Sequence, residues 1–227
     1  GDHGVLRNKF YIHRALVYTL DMVKIVQKDD PILRKIAEPV GREMLGTPRF
    51  RKIVRDIKST LAREDDGVAL AAPQVGVLLR LFVVSGMVME ILRPEGKNQK
   101  KKYVDMVFIN PKIIKISKER EVLEEGCLSA RFLYGKIDRA KKVKIRAMDE
   151  EGGIFEMGAS GLLAQIFQHE TDHLVGRLFL DNAADIREIP PGNTTDAGNT
   201  VNTVNTVGAT GHFAKQKNHV KWRKNLK

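Results

Sequence analysis

The amino-acid sequence predicts a small α+β domain. Apolar residues recur at helical spacing in two segments, one beginning near residue 47 and the other near residue 160. Between them lie runs rich in β-branched residues, separated by turn residues such as those of Asn110-Pro111. The predicted strands are 80–85, 104–109, 112–117 and 141–148. A helix, a group of strands and a second helix fit the α+β class.

The first helix is expected to begin with Thr47 as its N-cap and Pro48 in the first helical position, and to end near Gly67. Its predicted buried stripe consists of Phe50, Ile53, Val54, Ile57 and Leu61.

The second helix is expected to run from Ser160, as N-cap, to about Gly176. Leu162, Ile166, His169 and His173 follow one another at spacings of four, three and four residues. Residues at this spacing share one face of a helix. We therefore expect a buried helix that carries two imidazoles at the edge of the core.

Composition divides the 227 residues into three parts. Residues 1–22 are predicted to be an N-terminal extension, and 23–186 a single catalytic domain. Residues 187–227 are predicted to be a disordered linker and a basic tail, because 190–210 are rich in Gly, Asn and Thr and poor in large apolar side chains.

The bulk charge and the single cysteine limit the environment. With 39 Lys and Arg against 28 Asp and Glu, the net charge is +11, which favours RNA, ribosomes or anionic surfaces as partners. No apolar run approaches the roughly 18 residues of a membrane span, and we expect no DNA partner. Cys127 is the only cysteine, which excludes an internal disulfide and favours a reducing, intracellular compartment.

The segment Gln168-His169-Glu170-Thr171-Asp172-His173-Leu174 is typical of metal hydrolases. Two imidazoles four residues apart on a helix can bind one cation, with the carboxylate of Glu170 beside it. Catalytic zinc-type sites usually take a third protein ligand. Composition alone leaves that ligand open between Cys127 and a downstream carboxylate, for which the candidates are Asp181, Asp185 and Glu188.

Three motifs resemble those of the peptide deformylase family. They are Asp66-Gly67-Val68-Ala69-Leu70-Ala71-Ala72-Pro73-Gln74, then Glu125-Gly126-Cys127-Leu128-Ser129, then the histidine motif, in the family's order. The resemblance extends from about Val23 to Asp181. It implies small, mostly antiparallel sheets packed around a central metal-binding helix.

The same resemblance implies a metal-dependent hydrolase that removes the formyl group from the N-terminal formylmethionine of nascent polypeptides. Cys127, His169 and His173 are then the metal ligands, and Glu170 is the general base. Gln74 and the backbone N–H of Leu128 would stabilise the charge that develops on the formyl oxygen. Fe²⁺ is the expected physiological ion, although the ligand set also accepts Zn²⁺, Ni²⁺ or Co²⁺.

By resemblance, the substrate peptide is expected to lie against Gly67, Val68, Ala69 and Gly126 as an added strand. Its methionine side chain is expected to contact Leu162, Gln165 and Ile166. Ala69, Arg131 and Gln165 depart from the usual family residues. We therefore expect retained catalysis with a shifted peptide preference.

Two alternatives remain open on sequence alone. One is a thermolysin-like metallopeptidase with a carboxylate third ligand, in which Cys127 is dispensable. The other is a basic ribosome- or RNA-associated protein with a degenerate deformylase site. The basic tail is a candidate ribosomal arm, residues 97–102 are expected to form a solvated charged loop, and a mitochondrial location is favoured over a bacterial cytoplasm.

Overall fold

The computed structural model describes residues 23–92 and 103–190, together with the backbone of 221–224. The helices are α1 (Pro48–Leu61), α2 (Gly86–Leu92) and α3 (Leu162–His173). The strands are β1 (Ala69–Ala71), β2 (Leu81–Val84), β3 (Met106–Ile116), β4 (Arg120–Gly126), β5 (Leu133–Ala140), β6 (Lys142–Met148), β7 (Ile154–Ser160), β8 (Ala184–Glu188) and β9 (Lys221–Lys224). Short 3-10 helices cover Pro31–Arg34, Arg42–Met44, Ala72–Val75 and Phe179–Asp181.

These strands form two antiparallel sheets. The larger has the order β1-β2-β3-β6-β7-β9, and the smaller has the order β4-β5-β8. Helix α3 packs against β1, β3, β6 and β7 of the larger sheet and against β5 of the smaller one. The predicted arrangement of small antiparallel sheets around a central helix is therefore confirmed.

The main core lies between α3 and the larger sheet. Phe82 of β2 and Phe108 of β3 stack with ring centroids 4.7 Å apart, and Phe167 of α3 meets Phe108 edge-on at 5.0 Å. Every residue of α3 from Leu162 to Glu170 is buried. The apolar surround fixes the helix, and therefore the position of its histidines.

Helix α1 begins as predicted. The hydroxyl of Thr47 accepts a hydrogen bond from the backbone N–H of Phe50 at 3.2 Å, and Pro48 is the first helical residue. Its buried side chains include Phe50, Val54, Ile57 and Leu61, whereas Ile53 is half-buried. The helix ends at Leu61, and a turn closed by a bond from Gly67 N–H to Glu64 C=O leads into β1.

The predicted N-cap of the second helix is wrong. Ser160 is the last residue of β7 and pairs with Lys142, while Gly161 caps α3. The chain reverses from strand to helix at Gly161 with φ of 58°, a backbone conformation that favours glycine. The glycine expected at the other end, Gly176, also has a positive φ, and a Cβ there would lie 2.5 Å from the carbonyl oxygen of Arg34.

The predicted strands 80–85 and 141–148 correspond to β2 and β6. The predicted turn at Asn110-Pro111 is wrong, because both residues lie within the single strand β3. Asn110 has φ of 50°, and the pairing of β3 with β6 shifts register there. The side chain of Asn110 bonds both the N–H and the C=O of Val40 at 2.8 Å, which holds this irregular conformation in the strand.

Ordered structure continues past the predicted domain boundary at residue 186. Strand β8 extends to Glu188, and β9 pairs with β7. The predicted extension 1–22, the charged loop 97–102 and most of the predicted tail lie outside the described residues. In the part of the chain that the structure describes, no helix is long and apolar enough to cross a membrane.

Candidate active site

Three candidate metal ligands converge where the smaller sheet meets α3. Cys127 follows the last residue of β4, and His169 and His173 lie one turn apart on α3. Their ligand atoms all lie within 4.8 Å of one another, and Cys127 Sγ is 3.3 Å from His173 Nε2. All three side chains are buried. One sulfur and two imidazole nitrogens, close together and shielded from water, fit a divalent transition-metal ion.

The downstream carboxylates do not join this group. Asp181 binds the guanidinium of Arg34 at 2.7 and 2.8 Å and the N–H of Leu178 at 2.9 Å. Asp185 pairs with Lys136 on the protein surface, and Glu188 is exposed in β8. The ligand set expected of a thermolysin-like peptidase is therefore absent from the described residues, and Cys127 takes the third position.

A buried ion-pair network supports His169. Nδ1 of His169 lies 3.0 Å from Oε2 of Glu125, and Arg139 binds both carboxylate oxygens of Glu125 at 2.8 and 2.9 Å. Arg139 also reaches Asp172 at 2.6 Å. Burial alone would raise the pKa of Glu125, but the hydrogen bonds from His169 and Arg139 hold it down at about 2. Glu125 is therefore a carboxylate that accepts a hydrogen bond from the imidazole of His169.

Sequence reasoning missed this network. Glu125 lies two residues before Cys127 in the same motif, and a carboxylate beside a ligand is a usable signal for an outer partner. No such signal marks Arg139, whose side chain reaches Glu125 across the β4–β5 pair.

Glu170 is buried beside the ligands, with 1% of its surface exposed. Its Oε2 has no hydrogen-bond partner. The pKa of Glu170 is raised to about 7, mainly by burial; His169 opposes this shift and Glu125 adds to it. A carboxylate whose pKa lies near neutral pH can both take and return a proton.

Gln74 is held by its own short 3-10 helix. Its Oε1 accepts from the N–H of Ala71 at 2.8 Å. Its Nε2 points into the site and lies 3.2 Å from Ser129 Oγ and 3.5 Å from Cys127 Sγ. The amide N–H groups of Gln74 are therefore fixed beside the candidate metal ligands.

A cleft opens onto these groups. It is lined by Asp66, Val68, Ala69, Gln74, Gly126, Cys127, Leu128, His169 and Glu170. Among the predicted substrate-binding residues, Val68, Ala69 and Gly126 belong to this lining. Gly67 is buried at the turn before β1, where a Cβ would lie 2.8 Å from a methyl carbon of Leu61.

The other predicted substrate contacts lie in the helix. Leu162, Gln165 and Ile166 are buried in α3 and are not among the residues that line the cleft. The amide of Gln165 donates to the C=O of Glu124 at 2.9 Å, while its Oε1 has no hydrogen-bond partner. This bond ties α3 to the end of β4, next to the cleft-lining Gly126.

Known proteins resemble this chain in sequence and in fold. The family model described as polypeptide deformylase matches residues 22–188. Peptide deformylase 1 of Burkholderia multivorans is 36% identical over 178 residues, which cover 78% of this chain and 90% of the relative.

Solved structures of peptide deformylases resemble the fold of this chain. A class I type b peptide deformylase from Acinetobacter baumannii, crystallised with Met-Ala-Ser bound, is 31% identical with a TM-score of 0.61, and the match covers 71% of this chain and 98% of that one. Peptide deformylase 1B of Arabidopsis thaliana is 34% identical with a TM-score of 0.60, over 71% of this chain and 82% of that one. Sequence, fold and ligand geometry therefore agree that this chain belongs to the peptide deformylase family.

Proposed function

We propose that this chain hydrolyses the formyl group from the N-terminal formylmethionine of newly made polypeptides and releases formate. The observation that carries this proposal is the cluster of Cys127, His169 and His173 at a cleft whose lining includes Cys127, His169 and the buried carboxylate of Glu170. A basic RNA-binding protein with a degenerate site would not need three candidate metal ligands and a buried carboxylate to lie side by side.

Cys127, His169 and His173 would hold a divalent metal ion. Such an ion would supply Lewis acidity and lower the pKa of bound water towards neutral pH. Glu170 accepts a proton from the attacking water as its oxygen bonds to the formyl carbon. Glu170 then returns that proton to the amine nitrogen as the carbon–nitrogen bond breaks, and formate and a free N-terminus leave.

Negative charge builds on the formyl oxygen as the carbon becomes tetrahedral. The Nε2 group of Gln74 is fixed in advance beside Cys127, and the backbone N–H of Leu128 belongs to the next residue in the cleft wall. We assign both as donors to that oxygen. Removing one such donor typically lowers kcat by about 10²- to 10³-fold.

The sheet topology suggests how a peptide binds. Strand β1 is an edge of the larger sheet and β4 is an edge of the smaller one. Ala69 in β1 and Gly126 at the end of β4 both line the cleft. An extended peptide can add as a strand between such edges, through backbone bonds that tolerate many sequences. The relative solved with Met-Ala-Ser bound supports a peptide that begins with methionine as the ligand.

We assign the methionine side chain to the α3 side of the cleft, toward Leu162, Gln165 and Ile166. The bond between Gln165 and Glu124 places the glutamine beside the cleft-lining end of β4. A pocket for the methionine side chain there requires the side chain of Gln165 to turn away. Gln165→Leu removes the bond that holds the glutamine in place and adds an apolar contact, so it is expected to lower KM for formyl-Met peptides.

Formate release is the decisive experiment. Protein purified anaerobically with Fe²⁺ is incubated with formyl-Met-Ala-Ser, alongside Glu170→Ala and Cys127→Ser. We expect release by the native protein, loss in Glu170→Ala with metal retained, and loss of both metal and release in Cys127→Ser. A native protein that binds metal but releases no formate would overturn the proposal.

We further propose Fe²⁺ as the ion in the cell, because a thiolate with two imidazoles accepts several divalent ions and availability then decides. Metal analysis of protein isolated anaerobically from its own cells tests this assignment. Zinc in equimolar amount with full activity would contradict it.

The basic tail is proposed as a ribosome contact, on the strength of its charge alone. Changing the five lysines of 215–227 to glutamine keeps the chain length and leaves Arg223 as the remaining Lys or Arg of this segment. Ribosome co-sedimentation at low salt should fall in this variant, and unchanged co-sedimentation would disprove the contact.

A mitochondrial location is proposed from the Asn- and Thr-rich segment and the N-terminal extension. The bacterial relatives lend it no support. Fractionation of cells for the endogenous protein, with markers for mitochondria and cytosol, tests it.

A further inference from the structure

Arg131 joins the two walls of the cleft. It lies four residues after Cys127, and its Nη1 binds both carboxylate oxygens of Asp66 at 3.0 Å. Its Nη2 binds the carboxylate of Glu64. Asp66 and Glu64 belong to the turn before β1, on the opposite wall. All three side chains are partly buried, with exposed fractions of 29% for Arg131, 26% for Glu64 and 14% for Asp66.

This cluster touches the space that a substrate would enter. Asp66 lines the cleft together with Cys127, His169 and Glu170. A charge placed there acts on whatever peptide occupies the cleft mouth. Arg131 contacts both Asp66 and Glu64, and neither Arg131 nor Glu64 is among the residues that line the cleft, so their charges act on the same region from further away.

The cluster carries an unbalanced charge. Two carboxylates and one guanidinium sum to one negative charge at the mouth, whereas the chain as a whole has a net charge of +11. Nη1 of Arg131 contacts both carboxylate oxygens of Asp66, which also fixes the orientation of that carboxylate. Both the size and the position of the charge therefore depend on Arg131.

We propose that Arg131 is a specificity-determining residue, which sets the charge preference of the cleft for the residues that follow formylmethionine. The native cluster favours peptides with a basic residue near the N-terminus over peptides with an acidic one. This inference rests on the proposed function, because it concerns substrates of the same site.

The test compares kcat/KM for formyl-Met-Ala-Lys and formyl-Met-Ala-Glu, with formyl-Met-Ala-Ser as the neutral reference. Arg131→Met leaves two negative charges and should raise the Lys-to-Glu ratio. Asp66→Asn removes one and should lower it. A unit charge roughly 8 Å from the substrate charge in water changes this ratio about fivefold at low ionic strength. Raising the salt to about 0.5 M should reduce each shift.

Two further variants separate charge from architecture. Arg131→Lys keeps the positive charge and should leave the ratio near its native value. Arg120→Met breaks a surface pair with Asp138 at the other end of β4, about 20 Å from Gly126 by strand length. It should change neither the ratio nor its salt dependence.

Opposite shifts in Arg131→Met and Asp66→Asn support the inference, and equal or absent shifts overturn it. If Arg131→Met fails to fold, Asp66→Asn still decides, because it is isosteric and its predicted direction is fixed. If the native protein releases formate but its Lys-to-Glu ratio is unchanged in Asp66→Asn, this inference alone is defeated. A native protein that releases none from any peptide defeats the proposed function, and this inference with it.

Discussion

The carboxylate of Glu125 lies 3.0 Å from Nδ1 of His169. With the pKa of Glu125 held at about 2, this carboxylate can only accept, so the imidazole proton lies on Nδ1. The other ring nitrogen, Nε2, is then the atom that would bind a metal ion, which displaces any proton held there. Arg139 keeps the carboxylate charged and in place through two bonds of its own.

Glu125→Gln should weaken metal binding by about 10- to 100-fold, the usual cost of losing an outer partner of a ligand histidine. Competition with a chelator measures the affinity. Asp172→Asn is the matched control, because it removes only the outer contact of Arg139. A Glu125→Gln protein that holds metal as tightly as Asp172→Asn would contradict the prediction.

The pH profile of kcat/KM should have an acid limb set by Glu170. The burial-raised pKa is about 7, and a nearby dication favours the charged carboxylate, so the limb is expected at or below pH 7. A general base is inactive when protonated. Below that pKa, kcat/KM should therefore fall about tenfold for each unit by which the pH is lowered. Glu170→Gln should retain metal and lose both the activity and the limb. Activity that increases as the pH falls would refute this role.

Two glutamines of α3 should respond differently to replacement by leucine. Gln168 accepts from the N–H of Ala140 at 2.9 Å and donates to the C=O of Ala140 at 3.0 Å and to that of Ala164 at 2.9 Å. Gln165 makes one bond and buries an unpaired oxygen. Gln168→Leu should therefore lower the free energy of unfolding by about 2–4 kcal/mol, because it leaves buried backbone groups unpaired.

Gln165→Leu should lower that free energy by less than about 1 kcal/mol, because it also removes an unsatisfied oxygen. Urea unfolding of the metal-loaded proteins compares the pair. Equal losses in the two variants would show that the bond count of each amide does not govern stability here.

Asp181 should contribute stability that depends on pH. Burial alone would raise its pKa, but Arg34 and the N–H of Leu178 lower it below the ordinary value. A carboxyl group with a depressed folded pKa stabilises the fold above its unfolded pKa of about 3.9, and this contribution is lost as the pH falls through the lower folded pKa. Asp181→Asn should cost about 1 kcal/mol at pH 7, allowing for solvent screening.

The cost of Asp181→Asn should shrink as the pH falls below about 4. Thermal unfolding between pH 2 and 7 follows it. Asp29→Asn serves as control, because Asp29 pairs with Lys28 on the surface with 85% of its side chain exposed. A constant cost at all pH values would mean that the charge of Asp181 is not what stabilises the fold.

The sequence was informative where chemistry is local. The cap at Thr47, the spacing of His169 and His173, and the motif around Cys127 each express a rule that involves a few neighbouring residues. The antiparallel arrangement was predicted only through family resemblance.

Long-range contacts were not predictable in the same way. The pair of Arg139 with Glu125 and the bonds of Asn110 to Val40 join segments far apart in the chain or in different strands. Asn110-Pro111 reads locally as a turn, yet the tertiary bonds to Val40 keep it inside β3. The N-cap at Ser160 failed because the strand pairing with Lys142 outweighed the intrinsic preference of serine for a helix start.

The candidate metal ligands come from segments of the chain that are synthesised at different times. Cys127 comes from the smaller sheet, the histidines lie 42 and 46 residues later on α3, and Asp181 ties the end of the domain back to Arg34 near its beginning. Chains are synthesised from the N-terminus, so α3 is among the last elements to leave the ribosome. A protein that removes the formyl group from other new chains must therefore have its own chain synthesised through α3 before it can act.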